Sequence, residues 1–77
     1  GMRRVELKFG VGYGESLPRA REVLLAAARD HAHVLDDPAP WAGVTALLDS
    51  SVEISLHAWV KSEDWWQARA DILQAGK

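Results

Sequence analysis

The sequence predicts an α+β domain whose elements follow the order strand, helix, strand, strand, helix. Two stretches alternate strictly between apolar and polar residues, which is typical of half-buried strands. Between them lies a segment with apolar residues at three- and four-residue spacing, and a short polar turn precedes the second alternating stretch. The 77 residues, 1–77, allow a single domain, near the size at which one core yields only about 3–5 kcal/mol of net stability. We therefore expect partner surfaces to matter.

Composition excludes several classes of function. The chain has no cysteine, so a disulfide framework and thiolate chemistry are excluded. A net charge of −2 gives no basic field for nucleic acid or anionic lipid. No stretch approaches the roughly 18 consecutive apolar residues that span a bilayer, so no membrane contact is expected. Gly1, which precedes Met2, is interpreted as the remnant of a cleaved tag.

The first strand is predicted from Arg4 to Val11 and the first helix from Leu17 to Arg29. Ser16 is the expected N-cap, and Pro18 fits the first helical turn. The apolar strand face consists of Val5, Leu7, Phe9 and Val11. The predicted packing face of the helix consists of Leu17, Ala20, Val23, Leu24, Ala27 and Ala28.

Residues 31–40 contain two prolines and two adjacent aspartates, and they are predicted to form a connection without helix or central strand. The second strand is predicted from Trp41 to Leu48. Leu47 departs from its alternation, so a bulge or the turn at 49–51 must decide its face, and the register stays open. The third strand, Val52 to Val60, follows as the other arm of an antiparallel hairpin.

Ser62 is the predicted cap of the second helix. Its expected packing face consists of Trp65, Trp66, Arg69, Ile72 and Leu73. A right-handed crossover from the first strand, followed by the hairpin, places the first strand beside the third, with both helices on one face. The prediction is a ferredoxin-like split βαβ fold that lacks the final strand, with a three-stranded mixed sheet. The edge of the first strand and one sheet face remain uncovered.

Trp59 raises a question about that open face. The apolar residues of the third strand have even numbers from 52 to 60, so Trp59 lies on the opposite face with Glu53, Ser55 and His57. A large aromatic side chain on an uncovered face suggests burial by something beyond these elements.

Several patterns that could carry chemistry favour structural interpretations instead. His31 and His33, near Asp30, Asp36 and Asp37, supply only two imidazoles, and a metal site needs three or four convergent ligands; His57 would be a third only if this loop folded onto the open face. The glycines at 10, 12 and 14 match no phosphate-binding pattern. Asp49, Ser50 and Ser51 occupy a turn, apart from His57. Trp65 and Trp66 suggest an aromatic cage, although one core ring and one rim ring are favoured. No catalytic, cofactor-binding or metal-ligating residue is assigned, and an enzyme is not expected.

Three stretches of the chain carry a resemblance to a known family: RRVELKFGVGYGESLPRAREVLLAAA, VLDDPAP and LLDSSVEISLHAWVKSEDWWQARADIL. This is a resemblance to the cytoplasmic C-terminal domain of the small-conductance mechanosensitive channel family. It covers nearly the whole chain, in order. Three details depart from the family pattern: Leu48 replaces a glycine before the turn, the chain stops where the family's second helix continues toward a further strand, and the sequence contains neither the membrane helices nor the preceding β domain.

This resemblance implies a non-catalytic part of a membrane channel. In the family, membrane helices form a pore that opens under bilayer tension, and the cytoplasmic domains of a homoheptamer enclose a vestibule that ions and solutes cross. The implied partners are other copies of the same subunit, and the implied location is the cytoplasmic side of the inner membrane. The isolated chain is expected to be a monomer or a weak dimer, because the heptamer uses parts that are missing here. The alternative is a stand-alone ferredoxin-like module that binds a small ligand or a protein on its open sheet face.

Overall fold

The computed structural model describes residues 1–76 and has the predicted order of elements. These are β1 (Met2–Gly12), α1 (Leu17–Asp30), β2 (Trp41–Leu47), β3 (Ser51–Lys61) and α2 (Trp65–Ala75), with one turn of 3-10 helix over Ser62–Asp64. β1 and β3 are longer than predicted at both ends. The Ser16 hydroxyl accepts a hydrogen bond from the Arg19 amide at 3.4 Å, which confirms the predicted N-cap of α1.

The sheet has the order β1-β3-β2, and both pairs of strands are antiparallel. The predicted adjacency of β1 and β3 is confirmed, but the prediction of a mixed sheet is wrong. The crossover through α1 makes β1 and β2 run in the same direction, and β3 lies between them. Since β3 turns back from β2 in a hairpin, it is antiparallel to both neighbours.

A bulge in β2 answers the question about Leu47. Val44 pairs with Ile54 and Ala46 with Glu53, so the register shifts at Thr45. Leu47 consequently lies opposite Val52, on the face that bears the helices. It is nevertheless 75% exposed, because it lies near the hairpin turn beyond the cover of α1.

The core lies between the helices and one face of the sheet. Its buried side chains are Val5, Leu7, Val11, Leu24, Leu25, Ala28, Ala42, Ile54, Leu56, Ala58, Val60, Ala68 and Ile72, with Val52 also buried. Phe9, Leu17, Trp65 and Leu73 pack against them at the margin. The five even-numbered residues predicted for the apolar face of β3 are all buried, so that row forms the floor of the core.

The predicted helix faces are correct except at single positions, since most of their residues pack in or against the core. In α1, Val23 is 56% exposed, whereas Leu25, which the predicted face omitted, is 2% exposed. In α2, Trp66 is 73% exposed, and Ala68 and Ile72 form the buried stripe. The errors lie at the margins of the two faces, where the shape of the sheet beneath decides which residues of a wide apolar stripe make contact.

Ser62 does not cap α2 as predicted. Neither the 3-10 turn nor α2 has a side-chain cap, and the Ser62 hydroxyl donates to the Gly1 carbonyl at 3.1 Å. The Ser62 amide donates to the same carbonyl at 2.9 Å, so the backbone of Gly1 extends the pairing of β1 with β3. Gly1, interpreted from the sequence as the remnant of a tag, therefore takes part in the sheet.

The different burial of Val23 and Leu25 predicts that replacing each with alanine has unequal effects on the free energy of unfolding. Leu25→Ala should lower the free energy of unfolding by about 2–5 kcal/mol, because it removes buried methyl groups and leaves a cavity. Val23→Ala should change it by less than about 0.5 kcal/mol, as is usual for exposed positions. Urea denaturation followed by circular dichroism measures both values. Equal losses would contradict the orientation of α1.

Candidate functional site

The uncovered face of the sheet, opposite the helices, is the candidate site and is called the open face below. It is formed by residues from all three strands: Arg4, Glu6 and Lys8 of β1; Glu53, Ser55, His57 and Trp59 of β3; and Trp41, Gly43 and Thr45 of β2. Cross-strand partners in the register share a face, which places Glu6, His57 and Trp41 in one row across the sheet.

Trp41 is the main exposed aromatic side chain of this face. It is 45% exposed, and its indole lies over the backbone of Gly43: a Cβ atom at position 43 would be 2.6 Å from the Trp41 ring. The ring also packs against the imidazole of His57, with ring centroids 5.1 Å apart and planes tilted by 45°. The glycine thus allows the indole to lie flat along its own strand. Trp41 was not predicted from the sequence to be part of this face. Its alternation with the apolar Ala42 does indicate the face on which it lies.

Polar contacts continue the row toward β1. His57 Nε2 lies 3.2 Å from Glu6 Oε2, and the same carboxylate oxygen lies 3.0 Å from Arg4 Nη2. Glu6 is therefore shared between a neighbour on its own strand and one on β3. These groups are partly exposed, so their main effect is to orient one another, and their contribution to stability is modest.

A second polar cluster occupies the other half of the open face. The Thr45 and Ser55 hydroxyl oxygens are 2.7 Å apart, and the Thr45 hydroxyl donates to Glu53 Oε2 at 3.0 Å. Ser55 is 2% exposed, the one buried polar residue in the described part of the chain, and this contact satisfies its hydroxyl. Thr45 lies on this face because it alternates with Val44, and the bulge there shifts Ala46, rather than Thr45, to the position opposite Glu53.

Trp59 lies on the open face as predicted and is half-buried within the chain itself. Its carbonyl accepts a hydrogen bond from the Leu35 amide at 2.8 Å, at a point along β3 where β2 has not yet begun. The connection between α1 and β2 therefore continues the sheet beside Trp59. Of the two tryptophans on the open face, Trp41 is therefore the more exposed.

Trp65 joins α2 to the outer edge of β1. Its indole N–H donates to the Arg4 carbonyl at 2.9 Å, and the Arg3 guanidinium lies 4.0 Å above its ring. Trp66 contacts Trp65 edge-on, with centroids 4.7 Å apart. One ring packs against the core and the other is exposed, rather than lying along the rim, so the two tryptophans do not enclose a cage.

The two histidines of the connection bind carboxylates of α2 and its leading turn, instead of the neighbouring aspartates. His31 Nε2 lies 2.8 Å from Asp71 Oδ2, and His33 Nδ1 lies 3.4 Å from Asp64 Oδ2. The hydrogen bond from His31, followed by one from Gln67, lowers the pKa of Asp71 below its usual 3.8. The structure therefore indicates that His31 and His33 fasten the connection to α2.

The remaining sequence patterns are not brought together. Within residues 1–76, no three His, Asp or Glu side chains are placed to hold a metal ion. His57 contacts Glu6 and Trp41 rather than the serines of the turn. Gly10 and Gly12 belong to β1, and no glycine has positive φ among the described residues. No helix in this part of the chain has the length and apolar character needed to cross a membrane.

A shallow cleft of about 700 Å³ lies on the other side of the sheet, between α1, the second half of β1 and the end of α2. Its lining is mostly apolar and includes Phe9, Val11 and Val23, with Arg19 and Glu15 at the mouth. The cleft is open and brings together no set of groups suited to acid, base or nucleophilic catalysis.

Comparison with known proteins gives a consistent result. Residues 5–75 match the family described as "Mechanosensitive ion channel MscS, C-terminal". The chain is 36% identical over 75 residues to an uncharacterised MscS family protein of Synechocystis sp., covering 97% of this chain and 25% of the relative. It is 31% identical over 71 residues to an MscS family protein of Archaeoglobus fulgidus, with coverage of 92% and 25%.

Two further similarities concern a named channel protein and a solved structure. The chain is 36% identical over 58 residues to the mechanosensitive channel MscK of Escherichia coli, covering 75% of this chain and 5% of MscK. The crystal structure of Helicobacter pylori MscS in its closed state has the same fold, with a TM-score of 0.85, 23% identity, and coverage of 95% and 29%. The chain thus spans about a quarter of the length of the first relatives it matches.

The packing of Trp41 over Gly43 predicts that a methyl group at position 43 displaces the indole. Gly43→Ala should therefore alter tryptophan fluorescence and the near-ultraviolet circular dichroism while the far-ultraviolet spectrum is retained. Gly14→Ala is the matched control, because a Cβ atom there meets nothing within 4 Å. Identical spectra for the two variants would contradict the position of the Trp41 ring.

The lowered pKa of Asp71 predicts that the stability of the fold depends on pH. A carboxyl whose pKa is depressed in the folded state stabilises the fold above its unfolded value of 3.8, and this contribution disappears as the pH falls through the folded value. Asp71→Asn should thus be less stable than wild type at pH 6, and the difference should shrink below about pH 4. Urea titrations across pH 2–7 measure it, with Asp36→Asn as the control. A difference that does not vary with pH would refute the role of the ionised carboxylate.

Proposed function

Since this chain belongs to the MscS family of mechanosensitive ion channels, as its C-terminal domain, we propose that it is a vestibule and assembly domain of such a channel. In this role it catalyses no reaction. It contributes to the association of subunits and to the solute path below the pore. The observation that carries the proposal is the family match over residues 5–75, together with the open face that the fold leaves uncovered.

The proposed assembly is a homoheptamer of a longer subunit whose remaining parts form the pore. This chain would lie on the cytoplasmic side of the inner membrane and make no contact with the bilayer itself. Two findings support a larger parent: the relatives are about four times as long as the matched region, and the chain is a single small domain with an uncovered sheet face.

The character of the open face supports a role in association rather than catalysis. Trp41 is held in one orientation by Gly43 and His57, so little conformational entropy would be lost when a partner covers it. The polar groups around it already bind one another, from Thr45 and Ser55 to Glu6 and Arg4. A preorganised aromatic ring surrounded by satisfied polar groups is typical of the centre of a protein interface.

Substitution of Trp41 in the parent channel tests this proposal. Trp41→Ala should weaken the association of subunits by about 2 kcal/mol or more, because a buried tryptophan is a typical interface anchor. Trp66→Ala is the matched control, since Trp66 is exposed on the helix side of the sheet. Mass measurement of the detergent-solubilised channel over a dilution series reports the oligomer, and survival of osmotic downshock reports its function.

Two results would contradict the proposal. One is a parent reading frame with no apolar spans beside the segment that encodes this chain. The other is equal association of the Trp41→Ala and Trp66→Ala channels. In the first case the stand-alone binding module becomes the better interpretation, and the exposed face of Trp41 is the place at which a ligand would be sought.

A further inference from the structure

The outer edge of β1 presents backbone groups that have no strand beside them in residues 1–76. The pairing of Gly1 with Ser62 fixes which residues these are, because hydrogen-bonded and non-hydrogen-bonded pairs alternate along an antiparallel ladder. Odd-numbered residues of β1 bond to β3, and even-numbered residues direct their N–H and C=O groups outward. Two contacts agree with this assignment: Trp65 binds the Arg4 carbonyl, and the Glu15 amide binds the Gly12 carbonyl.

The two edges of the sheet differ in how well they resist pairing with another strand. β2 has seven residues and is interrupted by the bulge at Thr45, which is a common protection of an edge. β1 has eleven residues, pairs with β3 without any shift of register, and contains no proline. Its outward groups from Glu6 to Gly10 are therefore a continuous template for a further strand.

The charges of Glu6 and Lys8 indicate which strand would pair with this edge. We propose that the edge of β1 pairs with β1 of a second copy of this chain, in an antiparallel register centred on Leu7. Glu6 then lies opposite the partner's Lys8, and Lys8 lies opposite the partner's Glu6. Because the two copies are related by a two-fold axis, the Glu-Lys contact forms twice. One Glu and one Lys two residues apart are therefore enough for the edge to pair with a copy of itself.

Neighbouring registers are less favourable, because they place like charges opposite each other or shorten the ladder of hydrogen bonds. The outward-facing groups restrict the choice to registers that pair even-numbered residues. A register centred on Glu6 places two Glu6 carboxylates opposite each other and Arg4 opposite Lys8, and one centred on Lys8 places two Lys8 ammonium groups together. A register centred on Val5 shortens the overlap and requires the Arg4 carbonyl, which Trp65 occupies.

Apolar side chains also lie opposite one another on the helix side of this junction, as they do in every register that pairs even-numbered residues, so the charges alone choose the register. On the helix side of β1, Phe9 is half-buried and lines the 700 Å³ cleft with Val23. In the register centred on Leu7, Phe9 lies opposite the partner's Val5, and Leu7 lies opposite its own copy. Both faces of the junction are thus matched, with opposite charges on the open face and apolar side chains on the other.

Trp65 limits the strength of this dimer. Its hydrogen bond to the Arg4 carbonyl blocks the pairing of Arg4 with the partner's Gly10, so the full ladder is confined to Glu6 and Lys8. A short ladder gives a weak dimer, which forms at high protein concentration. The inference concerns the 77-residue chain itself and does not depend on the proposed channel role.

Reversing the charges of Glu6 and Lys8 tests the proposal. Loss of association in each single variant with recovery in their mixture is a result that general destabilisation of the fold would not produce. Glu6→Lys and Lys8→Glu should each weaken self-association about tenfold, because both place like charges opposite each other. An equimolar mixture of the two variants should associate again, since every Lys then faces a Glu, and the double variant should also recover. Sedimentation equilibrium up to millimolar concentration measures these constants, and circular dichroism verifies folding. Lys61→Glu is the control, with the same change of charge on β3.

Each outcome of this experiment decides the proposal. Recovery in the mixture and in the double variant, with Lys61→Glu unchanged, supports the register centred on Leu7. A wild-type chain that stays monomeric at millimolar concentration overturns it. So does equal weakening by Lys61→Glu and Lys8→Glu, or a mixture that remains monomeric.

Discussion

Strand β3 is hydrogen-bonded along both sides, and the other elements take their positions from it. As in any strand, its side chains alternate between the two faces of the sheet. The even-numbered residues on one side form the floor of the core, with Ile54 and Val60 almost completely buried. On the other side, His57 and Ser55 provide the partners that fix Trp41 and Thr45. One strand thus sets both the hydrophobic core and the pattern of the open face.

The peripheral elements are fastened to this sheet by few, specific contacts. Trp65 binds the edge of β1 at Arg4, and this contact determines where α2 begins its path across the sheet. The connection 31–40 has no regular structure, yet the Leu35 amide binds β3 and His31 binds Asp71 of α2. A loop held at both the sheet and a helix costs more conformational entropy than a free loop, and these contacts offset that cost. The resulting α1-to-β2 connection is part of the fold rather than a flexible tether.

Sequence patterns predicted the elements, their order and the apolar face of β3, because a period of two residues is hard to mistake over nine positions. They also predicted the place of β1 beside β3, since crossover handedness leaves few topologies. They failed where several positions were nearly equivalent. Leu25 and Val23 both border the apolar stripe of α1, and only the shape of the sheet distinguishes them. The aspartates that bind His31 and His33 are remote in the chain, so no local pattern could identify them.

The two uncovered surfaces of this domain point in different directions, and this separates the associations proposed for them. A strand added at the edge of β1 continues the sheet in its own plane, whereas a partner that covers Trp41 approaches perpendicular to that plane. Contact at one surface therefore leaves the other accessible. The edge pair is two-fold and closes on itself, while a ring of seven subunits needs head-to-tail contacts between different patches. The edge contact consequently cannot substitute for a ring contact, and the two kinds of association are distinguishable by their stoichiometry as well as by the residues that each requires.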